Sequence, residues 1–217
     1  MNTGIELLKR QPIEFNDAGH TYRWLPTNEL MGASVTEVCS VNKTQSELYN
    51  IKKHRSSWEP RGKHIHAVAA AKQQRLPFEI KPDYLDWANP MLAHPFWKTF
   101  EPLAVEYAMC DLRRGIGGTL DSFGIDHLTG KKVLVDLKSQ SRAKARPYST
   151  DVQMGGYLSM LIPILAKLKR LDLSPDECLT LWVRPGKCVL GDPQDPDECL
   201  MAWEDSYEKW TALQDWI

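Results

Sequence analysis

An acid, an apolar residue and a lysine close one apolar run of this sequence, and a second acid sits in the run before it. The runs read Gly117-Gly-Thr-Leu-Asp121-Ser-Phe-Gly-Ile-Asp126 and Lys131-Lys-Val-Leu-Val-Asp136-Leu137-Lys138, with Leu128-Thr-Gly130 between them. Side chains alternate faces along a strand, so Asp136 and Lys138 point to one side while Leu137 points into the core. Thr129-Gly130 is a turn signal and predicts an antiparallel hairpin that brings Asp121 towards Asp136. Two carboxylates at short range repel unless a cation lies between them. Hard oxygen ligands suit Mg²⁺ or Mn²⁺. A lysine two residues on can hold an attacking water or offset the charge on a phosphate during transfer. Acid, acid and lysine around a hard cation is a site for phosphodiester hydrolysis.

The neighbouring segments supply elements to position this set. Leu103–Met109 reads as a strand carrying Glu106. Residues 140–148 form a polar basic loop, and Ser149 or Thr150 caps a helix running to about Lys169. On that helix Gln153 and Tyr157 share a face, placing Gln153 for the nucleophilic water or a phosphate oxygen and Tyr157 for a backbone phosphate. Residues 44–57 can form a helix with Lys52, Lys53, His54 and Arg55 exposed; Pro60 opens the next, from Arg61 to about Gln74. His64 and His66 lie about 200° apart around it and should not share a face. Upstream, Ile13–Phe15 and His20–Leu25 alternate as a hairpin turning at Asn16–Gly19, and Ser34 is a helix cap. Residues 82–100 read as an interrupted helical hairpin whose Trp87, Phe96, Trp97 and Phe100 are core or cover. Leu179–Val183 and Lys187–Leu190 pair around Pro185-Gly186, and an aromatic-rich helix over 197–217 closes the core or forms a homo-oligomer interface. Gly115-Ile-Gly-Gly118 is followed by a strand pattern, which argues against a nucleotide-binding loop; glycines there let backbone or DNA approach.

In this order and spacing the elements resemble the PD-(D/E)XK nuclease superfamily, in its RecB-like and phage exonuclease branch. The core motif is matched by Asp121 and by Asp136-Leu137-Lys138, the glutamine and tyrosine of the following helix by Gln153 and Tyr157, the Gly-x-x-x-His motif by Gly62–His66, and an acid on the preceding strand by Glu106. The resemblance covers residues 20–184. It implies an α/β fold, a mixed central sheet of roughly four to six strands flanked by helices in a restriction-endonuclease-like core. It implies that His66, Asp121, Asp136 and the Leu137 carbonyl hold Mg²⁺ or Mn²⁺, with Gly62 letting the helix of His66 approach the sheet. The activity implied is a metal-dependent exonuclease on linear DNA, single- or double-stranded. The competing readings are a structure- or site-specific DNA endonuclease and a catalytically silent nucleic-acid-binding module.

Composition bounds these expectations. The 217 residues predict a single domain, with an arm and hairpin over 1–33, a helical region over 34–100, a catalytic core over 101–190 and the C-terminal helix over 191–217. A net charge of −1 does not announce nucleic acid, but its distribution does. Lys131, Lys132, Lys138, Arg142, Lys144 and Arg146 face a single acid, Asp136, whereas Asp192, Asp195, Asp197, Glu198, Glu204, Asp205 and Glu208 crowd the far end. Arg142, Lys144 and Arg146 are therefore expected to hold a DNA backbone. Five widely spaced cysteines without Cys-x-x-Cys predict reduced thiols and no iron–sulfur cluster. No apolar run is long enough for a membrane, and the first residues lack the order of a secretory signal, so a cytoplasmic place is expected, in a bacterial or phage-infected cell.

Overall fold

The computed structural model describes residues 7–17 and 19–214. Of the N-terminal arm expected over residues 1–11, residues 1–6 lie outside the described residues, as do Ala18 of the first turn and Trp216 of the last helix. The chain is α/β, with a mixed sheet flanked by helices. Strands β1 (Ile13–Asn16), β2 (Thr21–Trp24) and β3 (Glu29–Leu30) form a small antiparallel sheet of their own. The main sheet has six strands: β4 (Ala33–Ser34), β5 (Phe100–Asp111), β6 (Ile116–Asp126), β7 (Lys131–Ser139), β8 (Glu177–Arg184) and β9 (Lys187–Leu190). Its order is β4-β6-β7-β8-β9, with β5 also paired to β6; β4–β6 and β7–β8 are parallel and the other pairs antiparallel.

Both faces of this sheet are covered, which is why β8 is buried at every position rather than at alternate ones. One face packs on α3 (Arg55–Gln73) and α4 (Leu85–Ala93), where Ile65, Val68 and Ala69 meet Val133, Val135, Leu137 and Leu181. The other packs on α1 (Val35–Cys39), α5 (Asp151–Lys167) and α6 (Pro196–Gln214). The remaining helix, α2 (Gln45–Lys53), is started by a Thr44–Glu47 capping box. Helix α3 begins five residues before Pro60 rather than at it; an internal proline removes a single N–H, and here the turn tolerates it. The segment expected as a helical hairpin over 82–100 yields only α4 as α-helix, and Phe100 opens β5. Among the described residues no helix is long and apolar enough to cross a membrane.

Helix α5 is buried on two sides because Gly155 and Gly156 remove the side chains that would hold α6 away. A Cβ on Gly155 would fall 2.0 Å from the Cys199 carbonyl oxygen, and one on Gly156 2.7 Å from Val35 Cγ1. Arg114 then locks α6 to the β5–β6 turn by a two-pronged pair with Glu204, at 2.9 and 2.7 Å, over the Tyr207 ring. Gly117 and Gly118 serve packing as well. Tyr22 occupies the space above Gly117, and Met160 and Val35 that above Gly118, so protein side chains and not DNA fill the room these glycines leave. Gly155→Ala is expected to lower the unfolding free energy by about 1–3 kcal/mol through overpacking against backbone, read as a lower urea midpoint at an unchanged slope.

Candidate active site

The predicted hairpin forms, and the point where it opens makes the site. Strands β6 and β7 pair from Asp126↔Lys131 to Ser122↔Val135, one step short of Asp121 and Asp136. There the Leu137 N–H leaves the ladder and donates to Asp121 Oδ2 at 2.6 Å. The two acids consequently serve different faces. Asp121 turns to α3. Asp136 and Lys138 turn to α5, while Val135 and Leu137 pack on the α3 side.

On the α3 face three ligating side chains converge. His66 Nδ1 lies 3.1 Å from Asp121 Oδ1 and 3.7 Å from Glu106 Oε1, and His66, Glu106 and Asp121 each offer an atom within 4.8 Å of the others. His66 reaches them from α3, whereas His64 points elsewhere and accepts the Lys81 N–H at 3.2 Å. Gly62 is not needed for the approach, since a Cβ there would meet only Ser139 Oγ at 3.7 Å, an ordinary contact. Burial pulls the His66 pKa down, but Asp121 and Glu106 outweigh it and hold it well above 6.5. Burial raises the Asp121 carboxyl, and His66, Lys138 and the Leu137 N–H bring it below its ordinary value.

Glu106 sits at φ 44° inside β5, a left-handed backbone that only surrounding contacts can impose on such a residue. Arg10 braces this backbone: its guanidinium donates to the carbonyl oxygens of Val105, at 3.0 Å, and of Glu106. Tyr107 anchors the same arm by donating to the Lys9 carbonyl at 2.8 Å. Sequence reasoning missed Arg10, because no local pattern ties an arm residue to a strand more than ninety positions on.

On the α5 face a second set runs in line. Lys138 Nζ donates to Asp136 Oδ1 at 2.9 Å and to Gln153 Oε1 at 2.8 Å, and Gln153 Nε2 donates to the Tyr157 hydroxyl at 2.6 Å. Tyr157 is thus buried behind Gln153, 5% exposed, and orients it instead of meeting a phosphate itself. Asp136 Oδ2 is 2.8 Å from the same ammonium but not aligned for a hydrogen bond, and remains a buried oxygen without a donor. Burial pushes the Asp136 carboxyl up to about 6, with Lys138 pulling it down and Asp121 pushing it up again. Burial lowers Lys138, but Asp136, Tyr148 and Asp121 more than reverse this and keep it charged. Tyr148 is a second missed residue. Its exposed ring meets Trp182 edge-on at 4.9 Å, and the charges of Lys138 and Asp136 both act on its hydroxyl.

Between Lys138 and Gln153 lies the basic loop. Arg142, Lys144 and Arg146 are exposed there, with no ion pair among the described residues. Lys131 and Lys132, counted with them from the sequence, are instead paired with Glu177 and Asp176. Within the 131–146 run, the unpaired positive charge therefore lies in the loop.

The donor set fits a hard divalent cation. An imidazole and two carboxylates converge on one point, and the neighbouring Asp136 Oδ2, although 2.8 Å from the Lys138 ammonium, has no aligned donor. No family model matches this chain, and no curated protein matches it. Among solved structures, one described as "Crystal structure of SSO0001" is 17% identical with a TM-score of 0.25, covering 42% of this chain and 39% of that one. The aligned part thus spans well under half of that structure's length, and a likeness at this score carries no argument.

A cation entering this set must displace the proton that His66 holds. Protonated His66 stabilises the fold below pH 6.5 and loses that contribution as pH rises through its raised value, so metal affinity must rise over the same window. Calorimetric titration with Mn²⁺ in buffers of different ionisation enthalpy is expected to show proton release and tighter binding at higher pH. His66→Gln should abolish the release.

Proposed function

We propose that this chain is a metal-dependent deoxyribonuclease that hydrolyses phosphodiester bonds, and an exonuclease on linear DNA. One observation carries the reading: the Lys138 ammonium is held at 2.8–2.9 Å by Asp136 and Gln153, on the strand whose Leu137 N–H fixes Asp121 in the cluster with His66 and Glu106. The exonuclease assignment rests on the resemblance to the RecB-like branch.

His66, Glu106 and Asp121 would hold Mg²⁺ or Mn²⁺, with Asp136 and the Leu137 carbonyl as further oxygen donors. A cation held there supplies Lewis acidity to the phosphate and a more acidic water. Lys138 donates a hydrogen bond to the attacking water or to a phosphate oxygen, and its charge offsets that developing in transfer. Gln153 fixes the direction of that ammonium and is itself fixed by Tyr157. Arg142, Lys144 and Arg146 hold the strand through its phosphates. The five cysteines are all free thiols, which fits a cytoplasmic place in a bacterial or phage-infected cell.

End-labelled linear DNA and closed circles, with Mg²⁺, Mn²⁺ or chelator, test the reading. Metal-dependent loss of linear DNA with circles spared is expected. Cut circles would make the protein an endonuclease, and no cleavage by a folded, metal-loaded protein would leave a binding module. Lys138→Ala is expected to reduce cleavage by about 10²–10⁴-fold while DNA binding persists; full activity in that variant would sink the assigned chemistry. Neutralising Arg142, Lys144 and Arg146 together should flatten the dependence of log affinity on log salt by about 2–3, and an unchanged slope would assign the loop to solvation.

A further inference from the structure

Two arginines next to this centre are buried without an acid. Arg61 on α3 is 5% exposed and Arg184 at the end of β8 is 8% exposed, and neither forms an ion pair among the described residues. Arg61 is poorly satisfied: Nη2 reaches the Ser139 carbonyl at 3.4 Å and Ser141 Oγ at 3.3 Å, both long, and Nε is buried with no partner at all. Arg184 Nε donates to Gln140 Oε1 at 2.7 Å, its only hydrogen bond among the described residues. Trp87 lies against the Arg61 guanidinium, 5.3 Å from it, and pins the Gln140 carbonyl with its own N–H at 2.8 Å. Both cations thus converge on Ser139–Ser141, where β7 leaves Lys138 and enters the basic loop.

A buried guanidinium without a counter-charge is costly, and the cost is ordinarily met by a carboxylate or a bound anion. Here no carboxylate does so. With one face on Trp87, Nε unpartnered and Nη2 held only by two long bonds, the Arg61 guanidinium keeps donor capacity unmet, and a planar fork of that kind matches a phosphate. The covering segment is irregular, and nearly every residue from Ser141 to Ser149 is exposed.

We propose that Arg61 and Arg184, with the Ser141 hydroxyl, form a phosphate subsite that takes one phosphodiester group of a polynucleotide strand lying over the 140–148 loop. The class of ligand rests on the nuclease reading above; the anion site rests on the arginines alone. The subsite sets the register of the strand: one phosphate is gripped by a fork while Arg142, Lys144 and Arg146 act on its neighbours as exposed charges. Grip at one position is a different property from the diffuse attraction of the loop, and can be measured separately.

The test is a phosphate walk. Short labelled oligonucleotides, each with one uncharged methylphosphonate at a successive position, are bound to the full chain in chelator, so that no cleavage intervenes. Wild type is expected to show one position where the substitution weakens binding by about ten- to a hundredfold. Arg61→Lys keeps the charge but loses the fork, and should bind the unmodified strand more weakly by a similar factor while losing the positional penalty. Arg184→Lys should reduce the same penalty, and serves if Arg61→Lys does not fold. A walk that is flat in wild type, or whose penalty survives in the folded lysine variants, overturns the subsite and assigns Arg61 to bolting α3 onto the loop. Cleavage of unmodified linear DNA with Mn²⁺, run beside the walk, separates the two claims. Cleavage with a flat walk removes the subsite alone, whereas an Arg61-dependent position without cleavage removes the nuclease reading and keeps the subsite.

Discussion

The centre depends on one hydrogen bond, from the Leu137 N–H to Asp121 Oδ2. A buried backbone donor must find a partner. Where β6 and β7 stop pairing, that partner is a side chain and not the facing carbonyl. Asp121 is thereby fixed to the strand that carries Asp136 and Lys138, although it serves the opposite face of the sheet. Without this tie, the His66–Glu106–Asp121 cluster and the Asp136–Lys138–Gln153 line would be separate features on two sides of a sheet.

Charge balance follows from that geometry. Asp136 and Asp121 are close enough to repel, both in places shielded from water, and burial already penalises each. Two cations compensate from different elements, Lys138 on β7 and protonated His66 on α3. On the proposed metal-dependent reading, a divalent cation would supply the same charge and would compete with the His66 proton. Glu106 adds a further carboxylate at the cost of a left-handed backbone, and Arg10 holds that backbone from outside the sheet. Polar groups in the centre are arranged at the expense of local backbone preference, as expected where strain is tolerated for chemistry.

The packing around the centre explains the glycines. Those at 155 and 156 admit α6 and α1 to α5, and those at 117 and 118 admit Tyr22, Val35 and Met160 to β6. Each allows a helix or ring to press on the elements that carry Asp121 or Gln153, and so limits the freedom of those side chains. Gly62 has no such contact, so a motif glycine and a structurally required glycine are different things in this chain.

The local readings that held were those set by neighbours in sequence. Alternation placed Asp136 and Lys138 on one face, Thr129-Gly130 turned the hairpin, and the four-residue spacing put Gln153 beside Tyr157. The α/β chain with a mixed sheet between helices, expected from the family resemblance and not from patterning alone, is the fold observed. What the sequence could not decide was set by contacts between distant segments. Arg10 on Glu106, Tyr148 beside Lys138, and Arg61 with Arg184 at Ser139–Ser141 join residues whose separation leaves no periodic signal. The parting of β6 from β7, which sends Asp121 to α3 and Asp136 to α5, was likewise invisible, because a pairing pattern read from two strands extends until a third element competes for the backbone. Here the Asp121 side chain takes the Leu137 N–H, and His66 on α3 meets the other oxygen of the same carboxylate.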